Sequence, residues 1–170
     1  MLNNEIVTKL NEQLNKELYS TYFYLDMSNY YFHQNLDGFG NWFYVQAQEE
    51  RDHAMLFNKY LLNNDQEVVL TDVKASGVSF SDFREPLSKT LEHERFITAS
   101  INDIYAVAYT QKDFRTMQFL DWFVKEQGEE EKNADDLVKK FDLFGKDSRG
   151  LYLLDTELKA RVYTPATLVL

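Results

Sequence analysis

The chain has 170 residues, 44% hydrophobic and 27% charged, a globular balance long enough for one domain with a sizeable core and too short for two comfortable ones. No run approaches the roughly 20 apolar residues of a membrane helix, and the polar N-terminus carries no signal-peptide core, so no membrane partner and a cytoplasmic setting are expected. The absence of cysteine excludes disulfides, thiolate metal sites and iron–sulfur clusters. Lys and Arg total 18 against 28 Asp and Glu, a net charge of −10 that disfavours nucleic acid and makes cations the natural partners.

Gly 6 and Pro 2 are few, which favours long helices. The first helix is predicted over 4–33, ending at Gln34-Asn35-Leu36-Asp37-Gly38, and the second over 39–62, ending at Asn63-Asn64-Asp65. Residues 66–81 have β-branched residues and no helical period, and are read as an extended connection. Asp82-x-x-Glu85 resembles a capping box and opens a third helix over 82–110. After the turn at Gln111-Lys112-Asp113, a fourth helix runs over 113–144 to Gly145, and a short fifth is read over 151–158. Helices of about 25–30 residues are roughly 40 Å long. Short loops make the first two, and the third and fourth, antiparallel pairs. The long connection lets the second and third run parallel. The fold class is therefore all-α, a four-helix bundle with one long crossover and a short C-terminal helix, the topology of ferritin-like folds.

The inward seams carry the functional signal. At spacings of 3 and 4 the first helix reads Leu10, Gln13, Glu17, Thr21, Tyr24 and the second Phe43, Gln46, Glu50, His53, Phe57. The third reads Leu91, Glu94, Thr98, Ile101 and the fourth Phe123, Gln127, Glu130, Ala134. Each seam is apolar towards its ends and acidic near its middle. Glu94 lies 18 residues before Lys112 and Gln127 lies 15 after it, so the two fall within about one helical turn of the same level. Burying such carboxylates unpaired costs several kcal/mol each, and no Lys or Arg lies on these seams to compensate. They are protonated, or cations sit between them. Oxygen donors with one imidazole suit a hard or borderline divalent metal, and Glu50-x-x-His53 puts two donors on one helical face.

At these residues the chain resembles the non-haem bacterial ferritins. The resemblance rests on LNEQLNKE with Glu17, AQEERDHA with Glu50 and His53, LEHE with Glu94, and VKEQGEEE with Gln127 and Glu130, and it extends over nearly the whole chain. It implies a ferroxidase that binds Fe(II) in pairs, oxidises it with O2 or H2O2, and stores a ferric oxide mineral in a 24-subunit cage. Carried over by position, one iron takes Glu17, Glu50 and His53. The second takes Glu50, Glu94 and Glu130 with Gln127 nearby, and Glu50 bridges. Glu49, Glu126, Glu129 and Glu130 resemble the family's third iron site. Tyr24 matches a tyrosine beside the di-iron pair that can supply an electron. Bacterioferritins have a second Glu-x-x-His and a haem-ligating methionine. Here Gln127-x-x-Glu130 replaces the first and Asp52 stands at the second position, so no haem is expected.

Rival readings are a soluble di-iron oxidase or oxygenase of the same fold, a DNA-associated mini-ferritin, and a non-catalytic helical scaffold. The buried Glu/His level argues against the last. The fifth helix, which mini-ferritins usually lack, argues against the DNA-associated form. His33 and His93 are read as solvated, Trp122 as core or interface, and the tail Leu168-Val169-Leu170 as serving subunit contacts.

Overall fold

Two prolines in 170 residues leave long uninterrupted runs, and four helices reach 26 to 31 residues. The computed structural model describes residues 2–77 and 79–170. Among these it forms α1 (Asn4–His33), α2 (Asp37–Asn63), α3 (Glu85–Thr110), α4 (Phe114–Phe144) and α5 (Ser148–Leu158), with no strand. Val78, inside the connection expected to be extended, lies outside the described residues.

Three helices end by one device. Asn35, Asp65 and Lys112 take left-handed φ of 59°, 56° and 57°. The next amide reaches back to the last turn in each case: Leu36 N to Tyr31 O at 3.0 Å, Gln66 N to Leu61 O at 3.0 Å, Asp113 N to Ala108 O at 2.9 Å. This satisfies carbonyls that the helix leaves open.

α1 spans the expected residues, and the other four helix starts differ from the sequence reading by one to three residues, because several caps come from unexpected places. α2 begins at Asp37, not 39, and Asp155 of α5 accepts from Gly38 N at 2.8 Å and Phe39 N at 3.0 Å. A carboxylate from a distant helix thus caps α2 and meets the positive end of its dipole. α5 begins at Ser148, not 151, because Asp147 accepts from Arg149 N and Gly150 N. α3 begins at Glu85, not 82. Asp82 accepts from Glu85 N at 2.9 Å, but Glu85 returns its carboxylate to Ser81 N at 2.7 Å. The reciprocal exchange is therefore spread over one more residue than a capping box. α4 begins at Phe114, with Asp113 as its cap.

Contacts along α1 set the topology. Tyr31 stacks on Phe39 near one end of the bundle, and Ile6 shares a core cluster with Leu61 at the other, so α1 and α2 are antiparallel. Thr90 touches Met27 and Asp103 pairs with Lys9, so α3 also runs against α1 and parallel to α2. The crossover is held to α1 by two asparagines. Asn11 bonds Glu67 O and Val69 N, and Asn15 bonds Val69 O and Thr71 N, at 2.7–3.1 Å. Four residues of helix rise about 6 Å and two of extended chain about 6.6 Å, so an i, i+4 pair of asparagines keeps step with alternate backbone groups.

The core is split. One apolar cluster contains Leu10, Leu14, Phe57, Ile101, Leu120 and Phe123; the other contains Tyr24, Met27, Phe43, Leu87, Leu137 and Phe141. A buried polar layer drawn from all four long helices lies between them.

Candidate metal centre

Six side chains from four helices meet in that layer: Glu17 (α1), Glu50 and His53 (α2), Glu94 (α3), Gln127 and Glu130 (α4), none more than 5% exposed. The convergence expected from the seams is observed. Helical spacing puts Glu50 and His53 on one face, and Glu50 Oε2 lies 3.4 Å from His53 Nδ1. Among the described residues, two groups of three gather donor atoms within 4.8 Å of one another. One is Glu17, Glu50 and His53; the other is His53, Glu126 and Glu130.

Other expected residues stand differently. Glu94 joins neither group. It accepts a hydrogen bond from the Tyr24 hydroxyl and another from Gln127 Nε2 at 3.1 Å. Glu49 is bonded to Arg161 at 2.5 Å, and exposed Glu129 lies 3.5 Å from Lys125. His93, read as solvated, is instead packed against Phe23 at 4.7 Å between ring centroids, with Nε2 2.7 Å from Ser20 Oγ. It sits one residue off the seam, where α3 still covers α1, and burial lowers its pKa. Exposed His33 matches its reading. Trp122 meets the His53 ring edge-on at 5.5 Å. Leu168 and Leu170 pack against the first core cluster, while Val169 is exposed.

Two glutamines on the seams have a role the sequence reading did not give them. Gln13 donates to Glu17 Oε1 at 2.8 Å, and Gln46 donates to Glu50 Oε1 at 3.1 Å and Glu130 Oε2 at 2.9 Å. The signal was present: Gln-x-x-x-Glu occurs at 13/17 and again at 46/50. Each amide oxygen is held in turn, Gln13 by Ser100 Oγ and Gln46 by Arg161. Arg161 lies 115 residues from Gln46 and follows α5, so no local pattern announced it.

The electrostatics follow from burial. Burial, with Glu50 close by, pushes Glu17 up to about 8 and Glu130 up to about 7. Burial, with Glu50 and then Glu130 adding to it, lifts Glu94 well above the carboxylate range. Glu50 is the exception. Burial raises its pKa, but the charge and hydrogen bond of His53 outweigh that and leave it lowered. Burial works against a charged His53, yet the bond to Glu50 and the charge of Glu50 raise it to about 10. One ion pair thus anchors the layer, and protons neutralise much of the rest. Glu17 Oε2 is buried without a hydrogen-bond partner. Carboxylate oxygens with one imidazole fit a hard or borderline divalent cation, and the anionic donors favour its higher oxidation state.

A four-helix bundle with one long crossover and carboxylates with a Glu-x-x-His projecting inward from facing helices defines a ferritin-like carboxylate protein. The family model described as a ferritin-like domain matches residues 7–144. The chain belongs to the ferritin family. It is 43% identical over 159 residues to the bacterial non-heme ferritin of Campylobacter jejuni, covering 94% of this chain and 95% of that one. It is 37% identical over 158 residues to the bacterial non-heme ferritin of Escherichia coli O6:H1, covering 93% and 96%. Among solved structures, an open-pore ferritin from the hyperthermophilic archaeon Archaeoglobus fulgidus superposes with a TM-score of 0.92 at 38% identity, covering 95% of this chain and 98% of that one. A closed form of that ferritin made by site-directed mutagenesis gives 0.94 at 38% identity, with coverage of 96% and 100%.

Proposed function

We propose that this ferritin stores iron by oxidising Fe(II) at the buried centre and depositing ferric oxide inside a 24-subunit cage. The observation that carries the reading is the buried group of Glu17, Glu50 and His53, whose ligand atoms lie within 4.8 Å of one another, with Glu17 Oε2 left without a hydrogen-bond partner. Glu17, Glu50 and His53 hold one Fe(II). Glu50, Glu94 and Glu130 hold the second, with Gln127 beside it. Glu50 and Glu130 share the Gln46 amide, and Glu94 and Gln127 are buried with them in the same layer. Glu126 and Glu130 offer a third position towards the cleft between α2 and α4, with Glu49 and Glu129 at its rim.

Each Fe(II) gives up one electron, and the two electrons reduce one O2 to peroxide or one H2O2 to water. Carboxylate charge favours Fe(III) in the product. A neutral glutamine at Gln127 holds the second ion less firmly than a charged ligand and favours onward movement to storage. Tyr24, bonded to Glu94, holds that carboxylate in position for the second ion.

The test is iron retained per chain after aerobic Fe(II) addition to metal-free protein and desalting. Many irons per chain, far above the two of a di-iron centre, support storage. About two support a soluble di-iron enzyme instead. None removes the metal reading.

A further inference from the structure

The segment after α5 returns along the cleft between α2 and α4 and lays Arg161 over the buried centre. Its guanidinium donates to Gln46 Oε1 at 2.8 Å, Glu49 Oε2 at 2.5 Å and the Trp42 carbonyl at 3.2 Å, and lies 4.3 Å from the Trp42 ring centroid. The backbone on either side is tied down. Asn41 donates to Arg161 O at 2.9 Å, Tyr163 donates to Asp52 at 2.5 Å, and the Trp122 indole donates to Thr167 Oγ1 at 3.1 Å. Thr164 to Thr167 form one wall of a cleft of about 340 Å³ whose other walls include His53, Glu126 and Glu130.

This placement acts on two side chains. Glu49 faces the same cleft, yet the group that gathers donor atoms there is His53, Glu126 and Glu130, without Glu49. Its carboxylate is already paired with a fixed cation. Gln46 is oriented: with its oxygen held by Arg161, its amide nitrogen points inward and donates to Glu50 and Glu130. A flipped amide would set donor against donor at Arg161 and oxygen against two carboxylates.

We propose that Arg161 is a built-in counter-ion of the cleft: it occupies the side of the mouth that a third divalent cation would share with Glu49, and through Gln46 it positions the oxygens of Glu50 and Glu130. The inference rests on the di-iron reading. The buried centre then holds two ions, and a third enters only against the positive charge of Arg161. Two unit charges a few ångströms apart at the edge of a protein interact strongly enough to change an affinity tenfold or more.

The experiment titrates assembled, metal-free protein with Zn(II), which is redox-inert, and reads stoichiometry and affinity by calorimetry in wild type, Arg161→Gln and Arg161→Lys. Zinc soaked into crystals of each locates the ions by anomalous scattering. In Arg161→Gln, the ion at Glu49, Glu126 and Glu130 should bind roughly tenfold tighter or more than in wild type, as loss of one opposing charge demands. Arg161→Lys, which keeps the charge, should stay close to wild type. An unchanged third ion in Arg161→Gln, or equal gains in both variants, overturns the proposal. Wild-type chemistry supplies a check independent of any variant. At zinc concentrations where the calorimetric stoichiometry of wild type reaches three, amide exchange at residues 160 and 161 should quicken as Arg161 is displaced, and unchanged exchange with the third position filled also overturns it. Failure of wild type to bind the first two ions takes down the di-iron reading and this inference with it, whereas two bound ions and an unaltered third overturn the Arg161 inference alone.

Discussion

The hydroxyl of Tyr24 on α1 donates to the carboxylate of Glu94 on α3, across the layer that divides the core. The other oxygen of Glu94 accepts from Gln127 on α4, so this one carboxylate ties three helices together and is restrained before any ion arrives. Tyr24→Phe should keep two ions per chain and slow Fe(II) oxidation about tenfold, the lower end of what outer-shell partners contribute. Stopped-flow absorbance of the ferric product measures this. An unchanged rate leaves Tyr24 as packing only.

Glu50 is the one carboxylate of the layer whose pKa is lowered, and it is paired with His53. Glu50→Ala removes a shared donor from both proposed ion positions. Oxidation should fall by more than about a hundredfold, beyond the effect of outer-shell changes. Initial rates at saturating Fe(II) report it, and a variant as fast as wild type overturns the site.

Glu17 carries a buried, unpartnered oxygen and a pKa raised to about 8. Glu17→Gln removes a carboxyl that ionises readily only when the chain unfolds. Metal-free variant should therefore melt higher, by roughly 5 °C for a gain on the order of 2 kcal/mol. It should also lose most of the stabilisation that wild type gains from Zn(II). Thermal scans with and without zinc read both effects.

The pH dependence of the metal-free protein follows with a definite sign. Glu17 and Glu130, at about 8 and about 7, hold protons more tightly than the ordinary carboxyl at 4.5, and His53, at about 10, more tightly than the ordinary imidazole at 6.5. Between about pH 5 and pH 10 the folded state binds more protons than the unfolded chain, so stability falls as pH rises. Metal binding runs the other way, because these ligands and Glu94, which is also raised, must shed their protons; loading near pH 7 should release roughly three protons per chain and tighten as pH rises. Calorimetry in buffers of different ionisation enthalpy counts the protons. Metal-free protein that gains stability from pH 5 to 8 contradicts the buried layer.

Gly38 lies where α5 docks. A Cβ there would stand 1.7 Å from the Asp155 carbonyl oxygen, a backbone atom that cannot move without shifting α5. Gly38→Ala should detach α5 from the start of α2, free Arg161 from the cleft and expose the chain beyond Gly145 to protease. Limited proteolysis with mass spectrometry identifies the cuts. A variant as resistant as wild type means that α5 docks through other contacts.

Helix content, the long crossover and the acidic level between apolar ends were legible in the sequence, because they are local or periodic properties. Few prolines permit long helices, and spacings of 3 and 4 define a face whatever that face meets. Counting residues from the turns puts Glu94 and Gln127 within about one helical turn of each other, but it leaves Glu17 and Glu50 seven residues out of step from Asp37, a gap that the packing of the helices closes. Which of these side-chain oxygens are free depends on partners outside each helix, and counting cannot reach those. Asp155 capping α2, Tyr24 and Gln127 holding Glu94, and Arg161 holding Gln46 and Glu49 all bring together residues far apart in the chain. Their hydrogen bonds need atoms within about 3 Å, a distance that only the packed helices and the returning tail establish. The kind of chemistry is therefore written in periodic residue types, and the charge balance at the mouth of the site is settled by tertiary contact.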